Sequence, residues 1–178
     1  LSGNDLSGFD LHGLNLEFSN LSSAKLLNAD LSNAILSLAN LQNADLRNSQ
    51  VATAISAAQL RAANGTSVNG FRITGINLGG NDLSGFNLSG LNLSSANLSS
   101  ANASSANFSS SNLTGINLSN ANVTSANFTA TNLAGANLSN TNAATAISSA
   151  QLRSAANRTG VILSGNNLSG FDLSGLNL

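Results

Sequence analysis

The chain has 178 residues, of which only 7% are charged, and its formal net charge is −1. It contains no cysteine, proline, methionine, tryptophan or tyrosine, and its single histidine is His12. The lack of cysteine excludes disulfide bonds and thiolate metal sites. No apolar run approaches the roughly 20 residues of a membrane-spanning helix, and no basic segment followed by an apolar one marks a signal peptide.

A five-residue repeat begins at Leu1 and is most regular from Phe86 to Asn142, where every fifth residue from Asn87 onward is asparagine. The residue after each asparagine is usually Leu, Phe or Val, and the residue before it is usually Ala. Because side chains alternate along an extended chain, the large and the small apolar residue both point inward. The remaining two residues favour turns. Four such units close a square of about twenty residues, and stacked squares pair at the parallel-strand spacing of roughly 4.8 Å.

This motif resembles the A(D/N)LXX motif of the pentapeptide-repeat proteins. The resemblance covers the large apolar positions within residues 1–51, 73–143 and 163–178. It implies an all-β fold, a right-handed quadrilateral parallel β-helix, in which one large and one small side chain per side fill a narrow core. Since the same period runs from end to end, we expect a single repeat domain over residues 1–178.

A longer repeat lies over the five-residue one. Leu1–Leu16 reads LSGNDLSGFDLHGLNL, and near-copies occupy Leu78–Leu93 and Leu163–Leu178. They divide the chain into super-units 1–77 and 78–162 and the opening of a third, 163–178. The arrangement resembles that of very large, repeat-rich bacterial surface proteins, so we expect a bacterial origin and an extracellular or cell-surface location. The chain starts in mid-pattern without a methionine, which favours a piece of a longer protein.

Two related inserts, residues 52–72 and 144–162, break the five-residue frame. A strict frame would place Ser148, Arg153 and Arg158 in the core, and burying unpaired guanidinium groups is prohibitive. The frame must therefore slip. One alternative is a shifted frame with inward residues Ile55, Leu60, Ile147 and Leu152.

The other alternative is a short helix in each insert, over Ser56–Ala63 and Ser148–Ala156. Ser56 and Ser148 would be the N-caps, and Asn64-Gly65 would end the first helix. The alanine-rich sequence AAQLRAA favours this alternative locally.

The copies of the longer motif place asparagine and phenylalanine at small inward positions. Buried amides need hydrogen-bond partners, so we expect these asparagines to bond the backbone of an insert and the rings to fill a wider coil. The residues concerned are Asn4, Asn81 and Asn166, with Phe9, Phe86 and Phe171.

Stacking predicts which outward side chains lie above one another. Asp5, Lys25 and Asp45 should form one column of alternating charge, and its pairs should contribute little at the surface. Asp10 and Asp30 should stack as like charges, which would raise the pKa of one of them. His12 should lie on a turn beside Ser32, where a lone histidine is usually inert.

Phe18, Ile35 and Leu38 should form an exposed apolar cluster on an otherwise polar surface. Two interpretations stay open. The first insert covers the cluster, or the cluster is a contact patch for a partner.

The sequence offers no catalytic constellation, and a filled β-helix should have no pocket. We therefore expect no enzyme activity, no cofactor and no metal. Six Lys and Arg residues form no basic stripe, which disfavours nucleic-acid binding. An inhibitor that mimics DNA and occupies topoisomerase channels, as some acidic members of the resembled family do, would need rows of carboxylates. The chain carries no charge between Asp82 and Arg153.

A nearly uncharged Ser/Asn/Thr surface favours self-association. The leading hypothesis is a structural rod that stacks end to end on further copies of itself. The alternative is a binding module for an ice or polysaccharide surface, and the DNA mimic is a distant third. The residues predicted to carry end-to-end stacking are Leu1, Leu6 and Leu11 at one end and Leu168, Leu173 and Leu178 at the other.

Overall fold

A computed structural model of the chain describes residues 1–48, 50, 54–65, 73–140 and 146–178. The chain winds into a stack of four-sided coils. Isolated parallel bridges join the middle residues of successive coils, as in Asp5 with Lys25 and Lys25 with Asp45. Parts of both inserts, and the predicted inward residues Val51 and Ala143, lie outside the described ranges.

A typical side of a central coil is a short extended piece with regular backbone bonds. The N–H of Asn117 donates to the carbonyl of Ala96 at 2.9 Å, and the N–H of Leu98 donates to the carbonyl of Asn117 at 2.7 Å. The middle residue therefore bonds the coil before it, whereas its neighbours bond the coil after it. Consequently, the two ends of the stack present different backbone groups.

Most corners in the described ranges are type II turns. The N–H of Ala101 donates to the carbonyl of Leu98 at 3.1 Å, and the second turn residue, Ser100, has a φ of 58°. Type II turns require a positive φ at this position. Most of the corners in the described ranges carry Gly, Ser or Asn there, because these residues tolerate the left-handed region best.

The core is a continuous column of the predicted large and small residues. Leu98 and Ala96 are fully buried. The rings of Phe108 and Phe128, one coil apart, stack with centroids 5.3 Å apart and an interplanar angle of 7°. The inward positions predicted from the five-residue period are confirmed in these coils.

Within the described residues two helices interrupt the extended pieces, α1 at Ala57–Asn64 and α2 at Ser149–Ser154. Because α1 lengthens its coil, Asp45 pairs with Asn77 rather than with Gly65. Likewise, Asn132 pairs with Asn157 rather than with a residue twenty positions on. Both helices lie on one side of the stack, which we call the helix side. Its other members are Asn15, Ile35, Asn87, Asn107, Asn127 and Asp172.

The inserts combine features of both predicted alternatives. Ser56 and Ser148 are N-caps with complete capping boxes, while Leu60 and Leu152 are fully buried on the inner face of each helix. Gly65 ends α1 with a φ of 62°. α2 ends at Ser154, short of the predicted Ala156, because Ala155 is already extended.

A glutamine in each helix replaces a backbone donor of the missing strand. Nε2 of Gln151 donates to the carbonyls of Val123 at 2.7 Å and Ala126 at 2.9 Å. In an all-strand coil a carbonyl such as that of Ala126 accepts from the middle residue of the next coil. Gln59 makes the matching bonds in α1, at 2.6 and 3.0 Å.

Two residues after the glutamine, an arginine in each helix bonds the coil on the other side of that helix. Nη1 of Arg61 donates to the carbonyl of Ser89 at 2.8 Å, and Nε of Arg153 donates to the carbonyl of Asp172 at 3.1 Å. In the segment Gln-Leu-Arg, the glutamine thus bonds the preceding coil, the leucine fills the core and the arginine bonds the following coil. The helices are therefore walls of the stack and not external loops.

Two of the three inward asparagines, Asn81 and Asn166, bond the backbone of the coil that precedes an insert, and not the backbone of the insert itself as predicted. Oδ1 of Asn81 accepts from the N–H of Asn48 at 2.7 Å, and Asn166 donates to the carbonyl of Leu138 at 2.8 Å. The prediction is wrong for Asn4, which is exposed because it faces the open end of the stack. Sequence reasoning missed the related buried asparagines, Asn48 and Asn140.

The three phenylalanines of the longer motif differ in burial. Phe86 and Phe171 follow the two helices along the chain and are half-buried, and Phe86 packs against the core. Phe9 is 55% exposed, which contradicts its predicted role as a core filler, because no coil lies above it at this end.

Candidate contact surfaces

The sides of the central coils carry ladders of asparagine amides. Oδ1 of Asn102 accepts from the N–H of Ser104 at 3.3 Å and from Nδ2 of Asn122 at 3.2 Å. Its own Nδ2 donates to Asp82 at 3.0 Å. Most of the hydrogen-bonding capacity of the Asn102 amide is thus used within its ladder, and the ladder carries no positive charge.

The first coils carry most of the charge. Nζ of Lys25 lies 3.7 Å from Oδ2 of Asp5, and Nη2 of Arg47 lies 2.6 Å from Oδ2 of Asp45. The predicted column is present, but Asp45 pairs with Arg47 rather than with Lys25. Exposed pairs of this kind contribute little to stability.

Asp10, His12, Asp30 and Ser32 form a polar group on the surface of the first two coils. Oγ of Ser32 donates to Oδ1 of Asp30 at 2.5 Å and lies 2.8 Å from Nδ1 of His12. Hydrogen bonds from the Ser32 hydroxyl and N–H, with the nearby imidazole, hold the pKa of Asp30 below its ordinary value. Stacking of Asp10 on Asp30 was expected to raise the pKa of one of the two carboxyls, and for Asp30 the direction is the opposite, because of these donors.

This group does not form a nucleophilic site. The proton of the Ser32 hydroxyl points at the Asp30 carboxylate, so His12 cannot take it as a base would. Over the described ranges, no group of three or more His, Cys, Asp or Glu residues could hold a metal ion.

The predicted apolar cluster is exposed at two of its three members. Phe18 is 67% and Ile35 is 48% exposed, whereas Leu38 is half-buried. The N–H of Leu38 donates to the carbonyl of Ala62 at 2.9 Å, so α1 borders the cluster at this residue. Phe18 and Leu38 are also the second residues of their turns, with φ values of 57° and 56°. Bulky side chains rarely adopt this conformation.

The open ends of the stack expose a further apolar surface. Leu1 is 51% and Leu178 is 42% exposed, whereas Leu6 and Leu11 are buried in the core of the first coil. Leu168 and Leu173 are half-buried at the other end. Sequence reasoning missed Phe9 and Leu14, 55% and 46% exposed. In the sequence, both are marked as large apolar residues at the inward position where the five-residue motif usually has a small one.

A surface hollow of about 430 Å³ opens beside α2, contrary to the expectation that the fold has no pocket. It is lined by Phe171 and Ile147 together with the polar side chains of Thr124, Ser125 and Asn167. The lining is uncharged.

A four-sided stack of five-residue units, with apolar inward positions and type II corners, defines the class of β-helical repeat proteins. The family model for pentapeptide repeats matches residues 15–50, 72–109 and 111–146, with eight copies. These segments make up more than half of the chain. The chain belongs to the pentapeptide-repeat family, whose fold is a right-handed quadrilateral β-helix.

Several solved structures of this family resemble the chain. HetL, a pentapeptide-repeat protein involved in heterocyst differentiation regulation in the cyanobacterium Nostoc sp. strain PCC 7120, is 28% identical with a TM-score of 0.29. The similarity covers 96% of this chain and 62% of HetL, so the chain spans under two thirds of that protein. QnrB1, a plasmid-mediated fluoroquinolone resistance protein, is 15% identical over 97% of this chain and 88% of its own, with a TM-score of 0.43.

A pentapeptide-repeat protein from the Arabidopsis thaliana thylakoid lumen is 23% identical, with a TM-score of 0.21, over 74% of this chain and 66% of its own. No curated protein sequence matches the chain. Proteins of this family are generally non-catalytic structural or binding proteins. In the part of the chain that the structure describes, neither helix is long and apolar enough to cross a membrane.

Proposed function

We propose that the chain is a non-enzymatic structural rod that associates end to end. The observation that carries the proposal is the complementarity of the two open ends. The first coil exposes Leu1, Phe9 and Leu14. The last coil exposes Leu178, and Leu173 and Leu176 of the same coil are half-buried. Each end is an apolar surface of the kind that another coil covers inside the stack.

The backbone groups at the two ends are also complementary. Within the stack, the N–H of Leu6 donates to the carbonyl of Lys25 at 2.8 Å. Among the described residues, none bonds the N–H or carbonyl of the first middle residues, such as Asp10 and Asn15. At the other end the N–H groups of Leu168 and Leu173 are equally unpartnered. Docking one end on the other repeats the internal bond pattern.

A contact between two different surfaces does not close on itself, so its repetition yields a filament. Unpaired edges of this kind associate unless they are blocked. The low charge of the chain, 7% of its residues, provides little electrostatic repulsion against association.

The test replaces two middle residues of the first coil. Asp10→Pro with Asn15→Pro removes N–H groups that have no internal partner and places a ring on the docking surface. Asp10→Ala with Asn15→Ala is the matched control, because it also removes the side-chain bonds to His12 and Glu17 but leaves the N–H groups.

Multi-angle light scattering over a concentration series is the measurement. We expect the wild type and the alanine variant to gain mass with concentration, and the proline variant to remain a monomer. A wild type that stays monomeric at every concentration contradicts the proposal, and so does a proline variant that associates like the wild type.

A second candidate, binding of a neutral polysaccharide, is favoured by the hollow beside α2. Phe171 offers an aromatic surface, and Ser125 and Asn167 offer uncharged hydrogen-bonding groups, which suit a sugar ring. Co-sedimentation with insoluble β-glucan tests it. Phe171→Ala should abolish binding, whereas Phe86→Ala, at the matching position after α1, should not. Equal binding by all three proteins contradicts this role.

Inhibition of a DNA-handling enzyme by mimicry is disfavoured. The mimic requires rows of carboxylates, and the central coils between Asp82 and Arg153 carry no charge.

A further inference from the structure

The last coil, residues 163–178, is held differently from the central coils. In the central coils each side bonds the coil before it through the backbone, as Asn117 does with Ala96 and Leu98. Among the described residues, no backbone N–H to carbonyl bond joins residues 163–178 to an earlier coil. We call residues 163–178 the terminal coil.

Arg153 of α2 supplies most of the polar bonds to the terminal coil. Nε donates to the carbonyl of Asp172 at 3.1 Å, and Nη2 donates to the carbonyl of Ser174 at 3.1 Å. Nη2 also lies 2.6 Å from Oδ2 of Asp172. One planar guanidinium therefore holds two carbonyls and a carboxylate of the terminal coil, a geometry that a lysine cannot reproduce.

Among the described residues, two other side-chain bonds connect the terminal coil to the stack. Asn166 donates to the carbonyl of Leu138 at 2.8 Å, and Asn177 donates to Oγ1 of Thr159 at 3.2 Å. The remaining attachment is apolar, since Leu173 and Leu176 pack half-buried against the core. The helix side of the terminal coil is thus held by Arg153 alone among these polar links.

Arg61 lies at the corresponding position of α1 but makes fewer bonds to the coil that follows its helix. It donates to the carbonyl of Ser89 at 2.8 Å, but residue 87 is asparagine, so there is no carboxylate to pair with. The coil that it contacts is also covered by a further coil, through bonds such as that from Leu88 to Asn107 at 2.8 Å. Arg61 therefore provides a matched comparison for Arg153.

We infer that Arg153 is a clasp that holds the terminal coil in its stacking position. Opening the clasp detaches the apolar surface and the free N–H groups that the terminal coil presents at its end of the rod. The consequence for association rests on the end-to-end function proposed above, whereas the clasp itself does not. Because Arg153 and Asp172 are partly exposed, raised ionic strength should weaken their attraction.

Hydrogen–deuterium exchange of the full chain, read from peptides within residues 163–178, tests the clasp. Arg153→Ala should speed exchange there by roughly tenfold, because charge-assisted hydrogen bonds are lost. Arg153→Lys should give an intermediate value, and Asp172→Asn, which keeps both carbonyl bonds, a smaller one. Arg61→Ala should leave these peptides unchanged. Peptides from the central coils should not change in any variant, which verifies that the variants fold.

Unchanged exchange of the terminal coil in Arg153→Ala overturns the clasp. Light scattering on the same samples separates the clasp from the association. Faster exchange with reduced association supports both, and faster exchange with undiminished association overturns the link between them. If the wild type never associates, the end-to-end function fails, while the exchange data still decide the clasp.

Discussion

The helix side contains strand layers and helical layers in one stack, and their comparison shows what the fold requires of a layer. At Asn107 and Asn127 the wall is an extended piece whose backbone bonds both neighbouring coils. At α1 and α2 the wall is a helix, and glutamine and arginine side chains supply those bonds. Both kinds of layer bury a large apolar residue completely. The stack therefore requires an inward side chain and correctly placed donors, and not a particular secondary structure.

The largest effect is expected from a charge placed in the core. It tests whether the helical layers and the strand layers contribute to the core equally. Leu152→Asp in α2 and Leu98→Asp in a strand layer should each destabilise the chain by more than about 4 kcal/mol, because each buries an unpaired carboxylate. Ser99→Asp, at the half-buried turn position that follows Leu98, is the control and should be near neutral. Urea unfolding followed by circular dichroism measures all three. If Leu152→Asp behaves like Ser99→Asp, the helix is not part of the core.

Removal of the replacement donor should have the next largest effect. Gln151→Ala leaves the carbonyl of Ala126 without its Nε2 donor and breaks the capping box with Ser148. A loss of about 2–3 kcal/mol is expected from these terms. Gln42→Ala, on an ordinary corner, is the control and should cost less than about 0.5 kcal/mol. Equal losses in the same unfolding assay contradict the assigned role of Gln151.

A smaller effect with the opposite sign is expected at a strained corner. Phe18→Asn should stabilise the chain by about 0.5–1 kcal/mol, because asparagine tolerates the left-handed conformation better than a bulky side chain does. Ser105→Asn, at a corner with a φ of 58°, should change stability little. A destabilised Phe18→Asn in thermal unfolding would show instead that the exposed ring contributes to the fold.

The smallest effect is the pH dependence that Asp30 contributes. Its folded pKa lies below the ordinary value because of the Ser32 donors and His12. The folded state therefore favours the carboxylate, and this stabilisation is present above the unfolded pKa of about 3.9 and is lost as the pH falls through the lower folded value. In a His12→Ala background, where only the Ser32 donors act on Asp30, the stability difference made by Asp30→Asn should be constant near neutral pH and change only below about pH 4. A difference that changes between pH 7 and 5 contradicts this assignment.

The wall and corner positions were predictable because they depend only on side-chain alternation and turn preference. Inward residues such as Leu98 and corner residues such as Ser100 follow directly from the five-residue period. The frame slip at the inserts was also predictable, since Arg153 and Arg158 do not belong in an apolar core. In these respects local physical chemistry determines the structure.

The roles that depend on a neighbouring coil were not predictable. Gln59 and Gln151 act as donors only because carbonyls of the preceding coil lose their usual partner, and a linear sequence does not show that loss. The pKa direction of Asp30 depends on how the Ser32 hydroxyl is oriented. The hollow depends on how Asn167 and Phe171 lie relative to α2 and Thr124. Predicting any of these features requires the three-dimensional arrangement of two neighbouring coils.

The most direct test of the helix-for-strand replacement is residue-resolved amide exchange at two equivalent corners. The N–H of Ser110 donates to Thr129 of a strand layer at 2.9 Å, and the N–H of Ala130 donates to Ser154 of α2 at the same distance. If helix and strand are equivalent walls, both amides should be protected to within about tenfold of each other, as expected for sites that open in one cooperative unit. Exchange at Ala130 as fast as at an unprotected turn, with Ser110 still protected, would contradict the account.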